Sequence, residues 1–193
     1  HVISRMAKIV PSQFPPIRDA TCGMVFACRS IVCAAMLFPA LLAQAQTPCE
    51  NGFAGIFPCD KVDLLSFLPK EEMGGGELND IWGWTDPMTG AEYALVGTVN
   101  GTSFVDIGDP INPVYLGNLP THAGVAIWRD IKVYQDHAYI VADNSGAHGL
   151  QVFDLTQLRS ISNAPVVFAE TSHLPAFDDA HNIIINEDSG FAY

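Results

Sequence analysis

Five histidines follow residue 45: His122, His137, His148, His173 and His181. His181 opens the stretch HNIIIN, as Asp80 sits at the head of NDIWGW and Asp130 at the head of RDIKVY. If these three stretches are equivalent strands, Asp80, Asp130 and His181 converge on one axis, with Asn79, Arg129 and Asn182 beside them. Imidazole with carboxylate is a donor set for a divalent metal, and the three residues are the candidate ligands. The chain has no His-x-His or His-Glu-x-x-His spacing to accompany them. The competing reading is that they hydrogen-bond the connections between repeating units. Two further histidines end matching stretches, Leu119-Pro120-Thr121-His122 and Thr171-Ser172-His173.

The acidic loops offer hard oxygen donors suited to a structural calcium: Asp106-Ile107-Gly108-Asp109, Asp143-Asn144-Ser145-Gly146 and Asp178-Asp179. None fits a twelve-residue calcium loop, and Asp106 and Asp154 at strand ends read as turn caps. Trp82, Trp84 and Trp128 supply rings for a sugar platform or for packing between sheets, packing being the simpler use. Asn100-Gly101-Thr102 fits the glycan sequon, and Asn100-Gly101 also reads as a two-residue hairpin turn. No Gly-x-Ser-x-Gly elbow, phosphate loop or Gly-x-Gly-x-x-Gly occurs. Gly74-Gly75-Gly76 is a joint and not a nucleotide cradle, because no helical pattern follows it. No catalytic residue is assigned.

These residues sit on short β-type runs separated by turn signals. EYALVGTV, TSFVDI and VYLGNLP follow the first stretch; AYIVAD, LQVFDL and VVFAETSHLP follow the second. The Phe-Val-Asp-Ile segment at 104–107 matches Val-Phe-Asp-Leu at 152–155, and Val114-Tyr115-Leu116 matches Val166-Val167-Phe168. Each unit thus holds four strands: a first strand, a second after a tight turn, a third ending in Asp, and a fourth after a Pro-containing loop. Four antiparallel strands repeating at about 40–50 residues predict propeller blades. One such sheet cannot cover its own two apolar faces, so neighbours must stack. Runs such as Ala138-Tyr139-Ile140-Val141 alternate little, as strands buried on both faces should. Residues 62–69 resemble a fourth strand that precedes the first unit and closes a ring. The expectation is an all-β chain carrying about two and a half four-stranded blades, the N-terminal fragment of a longer protein, with 46–78 as disulfide loop and leading strand and 79–193 as blades 1, 2 and the start of 3.

Ahead of this lies IVCAAMLFPALLA at 31–43, too short to span a bilayer as a helix but suited to the core of a signal peptide. Ala43-Gln44-Ala45 supplies a small-x-small cleavage signal. The signal peptide is read over 24–45, and 1–23 as an upstream non-native extension. The competing reading is an uncleaved membrane anchor. The whole chain carries 9 Lys and Arg against 21 Asp and Glu, which argues against nucleic acid or an anionic membrane as the main partner. A membrane link would run only through the signal peptide or a C-terminal anchor beyond Tyr193. Of five cysteines, Cys49 and Cys59 follow the leader. In an exported chain they predict one disulfide closing CENGFAGIFPC, contributing roughly 2–3 kcal/mol. A two-cysteine metal site is the alternative, and further thiols or an ordered His pair nearby are missing.

CENGFAGIFPCDKVDLLSFLP, NDIWGWTDPMTGAEYALVGTVNGTSFVDIGDPINPVYLGNLPTH, WRDIKVYQDHAYIVADNSGAHGLQVFDLTQL and AHNIIINEDSGFAY resemble the choice-of-anchor B family, with repeats similar to LVIVD-type β-propeller repeats. The resemblance covers about 49–193. It implies an exported, cell-surface protein with a C-terminal anchor or sorting signal, and no defined enzymatic activity. The function expected is therefore a surface-associated β-propeller that binds an extracellular or surface ligand. The alternative is a secreted metal-dependent enzyme with an axial Asp/His site built on Asp80, Asp130 and His181.

Overall fold

The computed structural model describes residues 46–193. The signal peptide read over 24–45 and the stretch 1–23 lie outside the described residues. The described chain is all-β, with two short 3-10 turns.

A disulfide joins Cys49 to Cys59, Cα to Cα 5.9 Å, around the hairpin of β1 (Phe53–Ala54) and β2 (Phe57–Pro58). The first unit is then an antiparallel meander of β3 (Leu78–Thr85), β4 (Glu92–Thr98), β5 (Gly101–Asp106) and β6 (Val114–Pro120). The second contains β7 (Trp128–Tyr134), β8 (His137–Asp143) and β9 (Leu150–Asp154). After β10 (Val166–Val167), β11 (Ser172–Leu174) completes that sheet against β9. A hairpin of β12 (Ile185–Asn186) and β13 (Phe191–Ala192) opens the third unit. The β7–β8 hairpin turns at Gln135 and Asp136, both at positive φ (45° and 60°), the twist-matched geometry for a two-residue loop.

Strand alternation sorts the side chains into two cores. Tyr93 and Leu95 of β4 face Phe104, Leu116 and Leu119 on one side of the first sheet, and there they meet Ile131, Ala138, Ile140 and Phe153 of the second. The two sheets therefore bury each other. Phe104 and Phe153, both fully buried, stack at 4.7 Å, and Phe168 lies edge-on to both. Burying each ring contributes about 1.5–3 kcal/mol. Ala94, Val96 and Val105 point the other way, onto Met73 and Leu68. Across the sheet interface Asp86, fully buried, holds Arg159 through two oxygens at 2.6 and 2.7 Å. The Arg159 bond, ahead of those from Thr89 and the Met88 N–H, keeps the Asp86 carboxyl far below the ordinary carboxylate range against the opposing effect of burial.

Three local expectations change. Residues 62–69 form no strand of a sheet; Leu64 bridges Thr47, and the segment then runs over the open face of the first sheet, where it delivers Leu68 and Met73. The fourth strand of the second unit is β11 and not 166–168. Between β9 and β11 the chain detours through the 3-10 turn Leu155–Ser160, and Val166 and Val167 pair in parallel with β6 of the first sheet. Gly117 permits this: at φ 138°, an added Cβ would stand 1.9 Å from the Val166 carbonyl oxygen. Finally, Gly101 is in β5 and outside the turn, which is Val99-Asn100; a Cβ on Gly101 would meet the Leu119 carbonyl oxygen at 2.1 Å, so the glycine lets β6 approach.

Candidate functional site

Asp80, Asp130 and His181 do not form one ligand set. Asp80 Oδ2 accepts the main-chain N–H of Ile131 at 2.9 Å, and Asp130 Oδ2 accepts that of Ile183 at 2.7 Å. Each carboxylate thus fastens the first strand of the next unit. Burial alone would raise the Asp130 pKa, yet Lys132, the Ile183 N–H and Asn182 together hold it below its ordinary value. The hydrogen bonds also correct the alignment of the units. Ile131 and Ile183 are equivalent, so the counterpart of Asp130 is Asn182, and His181 takes the place of Arg129. His181, largely exposed, pairs instead with Asp143 at 2.8 Å.

Histidine chemistry gathers elsewhere, at the end of the sheets where β6 finishes, β7 begins and the 144–149 loop joins β8 to β9. Arg129 is 5% exposed and pairs with no carboxylate among the described residues. Its Nε donates to the Thr98 carbonyl at 2.7 Å and its Nη1 to His148 Nε2 at 3.2 Å. Burial lowers its pKa to about 10. His148 is fully buried, and its Nδ1–H donates to the Gly149 carbonyl at 3.0 Å. These two contacts fix the neutral tautomer, with the Nε2 lone pair on the guanidinium. Burial, then the nearby Arg129 charge, pushes the His148 pKa down, while the Gly149 bond opposes them.

The main-chain oxygen of His148 accepts from His173 Nε2 at 2.7 Å. A carbonyl can only accept, so Nε2 carries the proton and the Nδ1 of a neutral His173 holds a free lone pair. The His173 ring stacks on that of His122 at 3.4 Å between centroids, 15° from parallel. His122 Nδ1 donates to Glu170, 2.9 and 3.1 Å from its two oxygens. Among the described residues, the donor atoms of His122, Glu170 and His173 lie within 4.8 Å of one another. Gly149 makes room: at φ 60°, a Cβ there would sit 3.0 Å from His173 Nε2 and 2.4 Å from the Leu174 carbonyl oxygen. Gln151 is the direct cross-strand partner of His173, so both side chains leave the same face. Its Nε2 donates to Pro120 O at 2.9 Å, and its buried Oε1 finds no donor among the described residues.

Sequence reasoning marked His122 and His173 as matching ends of successive units, but did not join them. The signal was present: equivalent outer ends of two stacked sheets lie side by side. Glu170 and Gln151 had no such signal. The remaining polar candidates have local work. Asp106 accepts from the Gly108 N–H, and Asp154 caps the 3-10 turn through the Thr156 N–H and hydroxyl. Trp84 is core, stacked on Tyr93, whereas Trp82 lies under the Lys132 ammonium at 4.4 Å and Trp128 is half-exposed. No family model, curated protein or solved structure matches the chain.

Proposed function

We propose that the chain is the blade-bearing part of an exported, surface-associated β-propeller of the choice-of-anchor B type, working as a binding module for an extracellular or surface ligand. The observation that carries the reading is the repeated staple. Two sheets stack face to face, the first a four-stranded meander widened by β10 and the second four-stranded, and a first-strand carboxylate of each receives a main-chain N–H of the next unit. That operation repeats from unit to unit, as a ring of blades requires. The described residues would then supply two full blades and the opening hairpin of a third.

Export is supported by the Cys49–Cys59 disulfide, a bond that persists in oxidising compartments, together with the signal read over 24–45. Binding is favoured over catalysis because the axial carboxylates are occupied by main-chain N–H groups. The test is made on the natural producing cells. Surface-restricted biotinylation should label the protein on intact cells, and its mature N-terminus should be Gln46. Recovery only from the cytosolic fraction, with Cys49 and Cys59 free, would overturn the reading.

A further inference from the structure

We propose that His122, Glu170 and His173 form a zinc-binding site that links the outer ends of the two sheets. His122 follows β6 of the first sheet; Glu170 and His173 belong to the segment that closes the second. Two imidazoles and one carboxylate match the borderline character of Zn²⁺, whereas calcium and magnesium take oxygen donors. The donors already lie within 4.8 Å of one another. A tetrahedral site with bonds near 2.0–2.1 Å sets its donors about 3.3 Å apart, and the two stacked rings, whose lone pairs lie in nearly parallel planes, must also turn out of the stack for both to reach one ion. Side-chain rotations can supply that, since His122 and Glu170 are both partly exposed.

The surroundings are built for such a site. A metal-bound imidazole characteristically donates its other N–H to a carbonyl or carboxylate, which fixes the ring. His173 does so toward the His148 carbonyl, leaving Nδ1 for the metal. The His148 backbone is held in turn, because its side chain is locked between Arg129 and Gly149. At His122 the ion replaces the proton on Nδ1; as that proton leaves to solvent, Nε2 takes one up from solvent, so the ring binds as the neutral Nε2–H tautomer with no net charge change. Three protein donors leave a fourth position for water or a ligand atom. The buried Oε1 of Gln151 is an acceptor on the same face that lacks a donor among the described residues. The site does not depend on the ring architecture, only on the contact between the two sheets.

The experiment uses the untagged chain with its disulfide formed. Titration with ZnCl₂ by calorimetry, and with Co²⁺ by visible absorption, should give one equivalent with a Kd in the micromolar range or tighter. Cobalt should show the absorption of a four- or five-coordinate ion. His122→Ala and His173→Ala should each weaken binding by at least about tenfold, and Glu170→Gln by a similar factor. His137→Ala, whose ring bonds the Gln135 carbonyl away from the site, should leave binding unchanged. Melting curves without metal establish that each variant folds; should His173→Ala not fold, His122→Ala and Glu170→Gln decide the matter, both being at partly exposed positions. No uptake at 100 μM zinc, or uptake that survives in the His122→Ala/Glu170→Gln double variant, would overturn the proposal.

Discussion

Replacing Asp130 with alanine tests the staple most directly. Its Oδ2 is 2.7 Å from the N–H of Ile183, a residue only 4% exposed. Losing a hydrogen bond to a charged acceptor costs about 1.5–3 kcal/mol, and a buried N–H left without a partner is the reason the figure is not smaller. The Lys132 ammonium also loses its partner, but it is more exposed and retains the Ile131 carbonyl at 3.1 Å, so it adds little. The net effect is about 2 kcal/mol. It should be local, because the hairpin beyond Ile183 is open, with Ile184, Phe191 and Tyr193 all exposed. In amide hydrogen exchange, 2 kcal/mol is about 30-fold faster opening at Ile183. Asp130→Asn keeps an acceptor oxygen and should recover most of the protection. Asp80→Ala makes the same change at the preceding unit, but its target Ile131 is fully buried between the sheets. There the loss should appear in global urea unfolding. Exchange at Ile183 within threefold of the parent in Asp130→Ala, or an asparagine variant no better than the alanine one, refutes the staple.

Other perturbations have equally definite outcomes. Phe153→Ala removes a fully buried ring packed on Phe104 and Phe168 and should cost about 3–5 kcal/mol in urea melts. Gly117→Ala should detach β10 from β6, read as lost exchange protection at the Phe168 amide, which bonds the Asn118 carbonyl at 2.8 Å. Stability should fall with acidification in two stages. His148 has a folded pKa below its ordinary 6.5, so the unfolded chain takes up the proton first and stability declines as pH falls from about 6.5. Asp86 has a folded pKa below 3.8, so its stabilisation is complete above that value and is lost as pH falls further. A flat melting temperature between pH 7 and pH 5 would contradict the assignment of His148 as a buried neutral group. Reducing the Cys49–Cys59 bond, which closes a separation of 10 residues, should lower stability by roughly 2–3 kcal/mol.

The strands were legible because their causes are local. Alternating Tyr93, Ala94, Leu95 and Val96 between turn residues has only one economical use, a strand with both faces covered, and β3 to β9 fall where the runs do. The fourth strand of the second unit was not legible. Val166-Val167 reads as its strand by pattern, but the parallel docking on Gly117 is a contact 49 residues away in the chain. The 62–69 segment misled for a related reason: an apolar run can cover a sheet as readily as it can extend one. At the site, residue types were visible and partners were not. His122 and His173 stood at matching places in the repeat, yet Glu170, Arg129 and the tautomer of His148 emerge only once the carbonyls of Thr98, Gly149 and His148 are positioned.

The one-residue slip in the alignment of the third unit explains why an axial metal site looked reasonable. With His181 set against Asp80 and Asp130, the series reads as donors of mixed type. Set by the hydrogen bonds, the series is Asp80, Asp130 and Asn182, each followed by isoleucine: Ile81, Ile131 and Ile183. All three can accept an N–H, and none needs a metal to do so. The position before them is then Asn79, Arg129 and His181, and there the chemistry differs each time. The carboxamide of Asn79 is buried with no partner among the described residues, Arg129 grips the carbonyl of the preceding unit, and His181 reaches Asp143. Staple and isoleucine keep the sheets in register, so the residue before them is free to vary. Arg129 occupies that variable place. Through His148 and its carbonyl, the frame of the fold thereby reaches the imidazole of His173.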